Sequence, residues 1–159
     1  MTRQPRLGRG GERPLTRVRR TMRSTPEHVF DTVLDAWSYP VWVVGATHVR
    51  QVDPEWPAPG ARIHHMVGAW PLTISDVTAL VESDPPHRLV LQGRAYPFGE
   101  VRIELTVSPD PAGACVEIAE APTYGFARVT DNPLMRWLLA ARNRESLNRL
   151  AAIVENRRS

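Results

Sequence analysis

Carboxylates and imidazoles set into apolar alternation are the residues of this chain that could do chemistry. Glu120 shares strand parity with Val116 and Ile118, so on an unbroken strand its carboxylate points to the side those residues bury. A carboxylate placed there must be ion-paired, hydrogen-bonded or protonated, and a poised one can move protons. Glu120 is therefore the candidate catalytic residue. Arg142, Asn143, Tyr124 or a bound ligand could partner it; alternatively the strand has ended and Glu120 is solvated. Asp76 has the same two readings. It sits where the alternation of Leu72 and Ile74 gives way to Val77, Ala79 and Val81, a phase change that a β-bulge there would produce. His64 and His65 are adjacent, so on a strand they point to opposite faces and do not readily share a metal. Neither the five His nor the single Cys shows ligand spacing, which predicts no metal. P-loop, GxGxxG and GxSxG patterns are missing, and no covalent nucleophile or cofactor motif stands out.

These side chains need elements to hold them, and one helix dominates. Residues 132–157, NPLMRWLLAARNRESLNRLAAIVENR, open with Asn132 as N-cap and Pro133 at the first helical position. Without a further Pro or Gly, such a helix runs roughly 37 Å at 1.5 Å per residue. Leu139, Asn143, Leu147, Leu150 and Val154 form its stripe, widened by Ile153 and by Trp137 or Leu138. Asn143 interrupts that stripe. It meets solvent or a nearby backbone, or else it looks into a cavity where the helix does not pack flush.

The apolar surface under this helix has to come from strands. Alternation predicts strands over 15–22, 49–53, 61–67, 72–82, 87–95, 99–108 and 114–121. Short Pro- and Gly-rich turns between them imply antiparallel hairpins with one buried face. Arg88 or Arg94 opposite Glu100 or Glu104 suits cross-strand ion pairs on the outer face. Between the first two strands, STPEHVFDTVLDAW reads as a helix capped by Ser24 or Thr25 and ended by Ser38-Tyr39-Pro40. The order is a strand, two short helices, six strands and the long helix: an α+β chain whose curved antiparallel sheet grips its last helix.

With 159 residues the chain makes one domain able to bury a core without disulfides, and its lone Cys115 fits a reducing compartment. All twenty basic residues are Arg, the coding bias of a high-GC genome. The net charge of +3 is uneven: residues 1–23 hold eight Arg and one Glu, or +7, and residues 24–159 hold twelve Arg and sixteen acids, or −4. Residues 1–14 read as a disordered Arg/Gly/Pro-rich tail that could touch anionic surfaces weakly, with no specific nucleic-acid partner. The expected domain spans 15–157. No apolar h-region or membrane-length run is present, and a cytoplasmic location is expected.

The stretches STPEHVFDTVLDAWSYPVWV, DPPHRLVL and RNRESLNRLAAIVE resemble the START-related, polyketide cyclase/dehydrase-like helix-grip superfamily (SRPBCC) over residues 15–157. That resemblance implies the helix-grip fold and a deep, mostly apolar cavity between the sheet and the C-terminal helix. It implies a small hydrophobic ligand (a lipid, an isoprenoid or an aromatic polyketide) held by a monomer or homodimer. A cyclase/dehydratase acting in the same cavity is the alternative. On this reading the ligand-facing residues are Trp37, Trp42, Met66, Asp76, Arg94, Tyr96, Tyr124, Leu139 and Asn143, with Glu120 as base in the enzymatic version. No family-wide catalytic motif transfers onto these positions.

Overall fold

Alternating side chains build an antiparallel sheet whose apolar face needs a cover, and the helices supply it. A computed structural model describes residues 14–69, 71–95, 99–124 and 132–156. The strands are β1 (Thr16–Met22), β2 (Ala46–Val52), β3 (Arg62–Ala69), β4 (Leu72–Asp84), β5 (Arg88–Ala95), β6 (Gly99–Asp110) and β7 (Gly113–Tyr124). They form one seven-stranded sheet in the order β1-β7-β6-β5-β4-β3-β2, antiparallel throughout. Helices α1 (Pro26–Leu34) and α2 (Tyr39–Trp42) follow β1, and α3 (Pro133–Asn156) closes the chain. This is the α+β helix-grip fold. The tail expected over residues 1–14 lies outside the described residues except for Pro14.

Local chemistry sets the boundaries. Thr25 caps α1 by accepting from the His28 N–H, and Pro26 takes the first turn, where no N–H is missed. The helix stops at Leu34, earlier than the Ser38-Tyr39-Pro40 stop expected from sequence. Asp35 caps a 3₁₀ turn at Ala36–Ser38, and Tyr39 and Pro40 begin α2, because Pro fits a helix's first turn as well as it ends one. Asn132 caps α3, accepting from the Leu134 N–H at 2.9 Å. In the β6–β7 hairpin, Gly113 has φ +142°, and a Cβ there would lie 2.4 Å from the Met22 carbonyl oxygen. Only glycine allows β1 that close.

The core joins Phe30 and Val33 of α1, Tyr39 and Trp42 of α2, Leu147, Leu150 and Val154 of α3, and the inward side chains of the sheet. On the outer face Arg88 donates to Glu104 at 2.8 Å and also pairs with Glu82. Arg94 lies directly across from Glu100 in register, but Gln92 donates to Glu100 at 3.2 Å.

Two patterns depart from the sequence reading. The β3–β4 register runs unbroken through Asp76, and the irregularity falls between Leu80 and Glu82 in the β4–β5 pairing. The inward residues are therefore Asp76, Thr78 and Leu80, not Val77, Ala79 and Val81. Polar side chains occupy inward positions there, so hydropathy assigned the wrong face. On α3, Trp137 and Leu138 do not widen the buried stripe; Trp137 is 61% exposed and Leu138 45%. Full burial along this helix begins only at Asn143.

Leu147 and Leu150 are fully buried, whereas Arg144 is exposed. Leu147→Ala or Leu150→Ala should cost about 2–5 kcal/mol in urea unfolding, and Arg144→Ala under about 0.5 kcal/mol. Similar losses at both kinds of position would contradict the buried face described.

Candidate functional site

The helix-bearing face of the sheet carries two polar groups amid apolar neighbours. The first is built on Glu120. Strand β7 continues to Tyr124, so Glu120 keeps the inward parity of Ala114, Val116 and Ile118, and it is 2% exposed. Its flanking partners in register are Thr16 on β1 and Ile103 on β6. Arg142 Nη2 donates to Glu120 Oε1 at 2.5 Å, and Asn143 Nδ2 donates to Oε2 at 2.6 Å. Asn143, 3% exposed, also donates to Thr16 Oγ1 at 3.3 Å, and its carbonyl accepts from Arg142 at 3.3 Å. The apolar stripe of α3 is broken at Asn143 because a buried carboxylate lies opposite it. Both Glu120 oxygens are already accepting hydrogen bonds.

The second group spans α2, β3 and β4. His65, 2% exposed, stacks obliquely on Tyr39 with ring centroids 5.1 Å apart. Its Nε2 shares a 2.9 Å hydrogen bond with Thr78 Oγ1, and the Tyr39 hydroxyl is 3.3 Å from the same oxygen. Asp76 is the Cα partner of His65 on the neighbouring strand, on the same face. Its Oδ1 accepts from the Val77 N–H. Gly93 lies opposite Thr78, and its missing side chain leaves a Cβ-sized gap 3.9 Å from Thr78 Oγ1. His65 Nδ1 and Trp42 Nε1 are buried without a protein partner.

Burial governs the protonation of this group. It lowers the His65 pKa; nearby Asp76 works against that, as does the Met66 backbone, which lies near the ring but outside hydrogen-bonding geometry for Nδ1. It raises the pKa of Asp76 and of Tyr39. The Tyr39 hydroxyl lies within electrostatic reach of Arg142, Asp76 and Glu120, so the two polar groups belong to one neighbourhood.

Glu120, Asn143 and Asp76 are thus gathered on this face, with the buried Trp42 against the Tyr39 ring at 5.9 Å. Leu139 is half-buried one turn before Asn143. Trp37 is 61% exposed, and Arg94 is exposed on the outer side. Met66 has the opposite strand parity from His65, and its sulfur accepts from Ser75 at 3.5 Å. Tyr96 and the Tyr124 side chain lie outside the described residues. Tyr39, His65 and Thr78 join the site although none was among the ligand-facing residues expected from the sequence. The signal for His65 was its shared parity with Ile63 and Val67. His64, on the other face, pairs with Asp53 at 2.9 Å, as adjacent strand positions require. Among the described residues no three or more His, Cys, Asp or Glu side chains group to hold a metal, and no helix is long and apolar enough to cross a membrane.

A family model described as polyketide cyclase / dehydrase and lipid transport matches residues 14–155. The chain belongs to that family. Among curated proteins none matches it. Solved structures share its fold. Protein CV1439 from Chromobacterium violaceum is 22% identical over 88% of this chain and 96% of that one, with a TM-score of 0.64. Ara h 8.0201 is 12% identical over 87% and 95%, with a TM-score of 0.69. The di-domain ARO/CYC StfQ from the steffimycin biosynthetic pathway is 13% identical over 89% of this chain and 50% of that one, with a TM-score of 0.68. At these identities the likeness is one of fold. The family places this chain among helix-grip proteins that bind small molecules, and it leaves the particular ligand open.

The lowered His65 pKa has a consequence for stability. The unfolded chain takes up a proton at the ordinary value of 6.5, which the folded chain resists. His65 therefore leaves stability intact above that pH and erodes it as pH falls through and below it. Asp76 acts with the opposite sign, since its folded carboxyl stays protonated to higher pH than 3.8, and stability is lost as it ionises. Thermal melts at about pH 7.5 and about pH 5.5 should show a smaller acid loss for His65→Gln than for wild type. An equal loss would mean that the imidazole is not held neutral.

Proposed function

We propose that the protein binds a small hydrophobic molecule, a lipid, an isoprenoid or an aromatic polyketide, in a chamber between the sheet and the first half of α3. The observation that carries this is the change in burial along that helix. From Asn143 to Val154 the inward line is fully buried, while no side chain from Leu134 to Arg142 is. Leu139 continues the inward line into the half that lacks a flush partner. On the helix-bearing face of the sheet, a buried His65 keeps an unpartnered ring nitrogen. An apolar roof over a floor with a few unsatisfied polar atoms is how small-molecule sites are built, with apolar burial for affinity and polar groups for orientation. The family's description, which joins cyclases with lipid transport, supports the same reading.

Cyclase/dehydratase chemistry in the same chamber is a second reading, favoured by the pairing of His65 with Asp76 in the register. A general base needs a lone pair open to its substrate. Each Glu120 oxygen accepts one of these hydrogen bonds and keeps a second lone pair, so Glu120 stays the candidate proton acceptor in this reading, with His65 and Asp76 as the other titratable groups on the face. Product formation from a co-purified molecule separates the two readings.

Native mass spectrometry and solvent extraction of recombinant protein test the chamber. Wild type should carry a small apolar molecule, or bind a neutral solvatochromic dye. Leu139→Arg should abolish that binding while moving Tm by only a few degrees, since Leu139 is only half-buried. Undiminished dye binding by Leu139→Arg would place the ligand elsewhere.

A further inference from the structure

Hydrogen-bond accounting around Thr78 fixes what the open nitrogen of His65 offers. Thr78 Oγ1 has one proton and two lone pairs, and it contacts both His65 Nε2 and the Tyr39 hydroxyl. In one arrangement Tyr39 donates to Thr78, Thr78 donates to Nε2, and His65 carries its proton on Nδ1. Every hydroxyl proton is then used, and only Nδ1–H is left open. In the other tautomer Nε2–H donates to Thr78. The proton of Thr78 or that of Tyr39 then lacks an acceptor within the cluster, and Nδ1 lacks a donor as well. Each buried unsatisfied group is unfavourable, so the first arrangement wins. It leaves a buried N–H donor without an acceptor, and the Trp42 indole N–H against the Tyr39 ring is another.

The charges on this face point the same way. Arg142 is committed to Glu120 and Asn143, and among the described contacts Asp76 has no ion pair, with Arg94 acting on it only at a distance. Arg94 is exposed on the opposite face. An anionic ligand group near His65 would be taken out of water beside a neutral imidazole, with the Arg142 charge already balanced by Glu120, and a buried charge without a partner is costly.

We propose that this site selects neutral apolar molecules that present a carbonyl oxygen, from a ketone, ester or amide, to His65 Nδ1–H, and that it rejects carboxylates and phosphates. Position 65 then determines specificity, with Thr78 and Tyr39 fixing its tautomer. The inference rests on the chamber reading above and names the ligand class that chamber takes.

The test is displacement of a neutral solvatochromic dye from the full chain at about pH 8, where carboxylic acids are ionised. The competitors are 2-decanone, decanoate and 1-decene, which share a chain length and differ in their polar end. 2-Decanone should compete at least about tenfold better than decanoate, and better than 1-decene. In His65→Leu the advantage over 1-decene should vanish, and in His65→Gln, which keeps an N–H donor, much of it should return. Decanoate competing as well as 2-decanone would overturn the selectivity while leaving the chamber standing. 1-Decene matching 2-decanone in wild type would overturn the role of His65. If neither the dye nor any competitor bound, the chamber reading would fall and the selectivity with it.

Discussion

A carboxylate buried under a helix has to be answered, and in this protein the answer fixes where the helix lies. Glu120 is closed off from water by α3 and its two neighbouring strands, and Arg142 and Asn143 each take one of its oxygens. Ion pairs of this kind contribute little net stability compared with apolar packing, because desolvating the charges offsets their attraction. What they supply is a constraint. Slide α3 by a turn and Asn143 leaves Glu120 and Thr16, a buried charge loses its partners, and the penalty runs to several kcal/mol. Val44 N–H to Ser146 at 3.1 Å and the backbone of Arg23 to Glu155 at 2.9 Å secure the same helix further along.

That pin divides α3. Beyond it, Leu147, Leu150 and Val154 pack flush on the core; before it, Leu139 and its neighbours are only half-covered. The sheet answers this change with a change of its own. Under the packed half the inward residues are apolar, such as Val18, Met22 and Val116. On β3 and β4 they become His65, Asp76 and Thr78, beside the side-chain gap at Gly93. Apolar packing where the helix is anchored and polar side chains on β3 and β4 are two consequences of one arrangement. Because Tyr39 is in electrostatic reach of Arg142, Glu120 and Asp76, the anchor and the His65 group share an electric field.

Much of the fold was legible because its signals are periodic. The succession of elements along the chain, the cap at Asn132 and Pro133, and the opposite faces of His64 and His65 follow from parity and helix-start chemistry alone. The inward parity of Glu120 was legible too, and Arg142 and Asn143 were among its named partners. Hydropathy failed where polar groups occupy inward positions. Asp76 and Thr78 point inward, so the apolar residues between them suggested a bulge some five residues too early. Trp137 and Leu138 misled for the complementary reason, since apolar side chains on the first half of α3 face solvent. The cluster of Tyr39, His65 and Thr78 joins residues 39 and 78, which only the tertiary fold brings within 3.3 Å.

A double-mutant cycle on Glu120 and Arg142, read by urea unfolding, tests the anchoring interaction most directly. Arg142→Leu alone leaves Glu120 buried without its cation and should cost about 3–5 kcal/mol. Glu120→Leu alone should cost less, because the Arg142 side chain is 39% exposed and can reach water. Combining the two should recover at least about 2 kcal/mol of the summed losses. Losses that simply add would show that the pair is not coupled and that the carboxylate does not set the position of the helix.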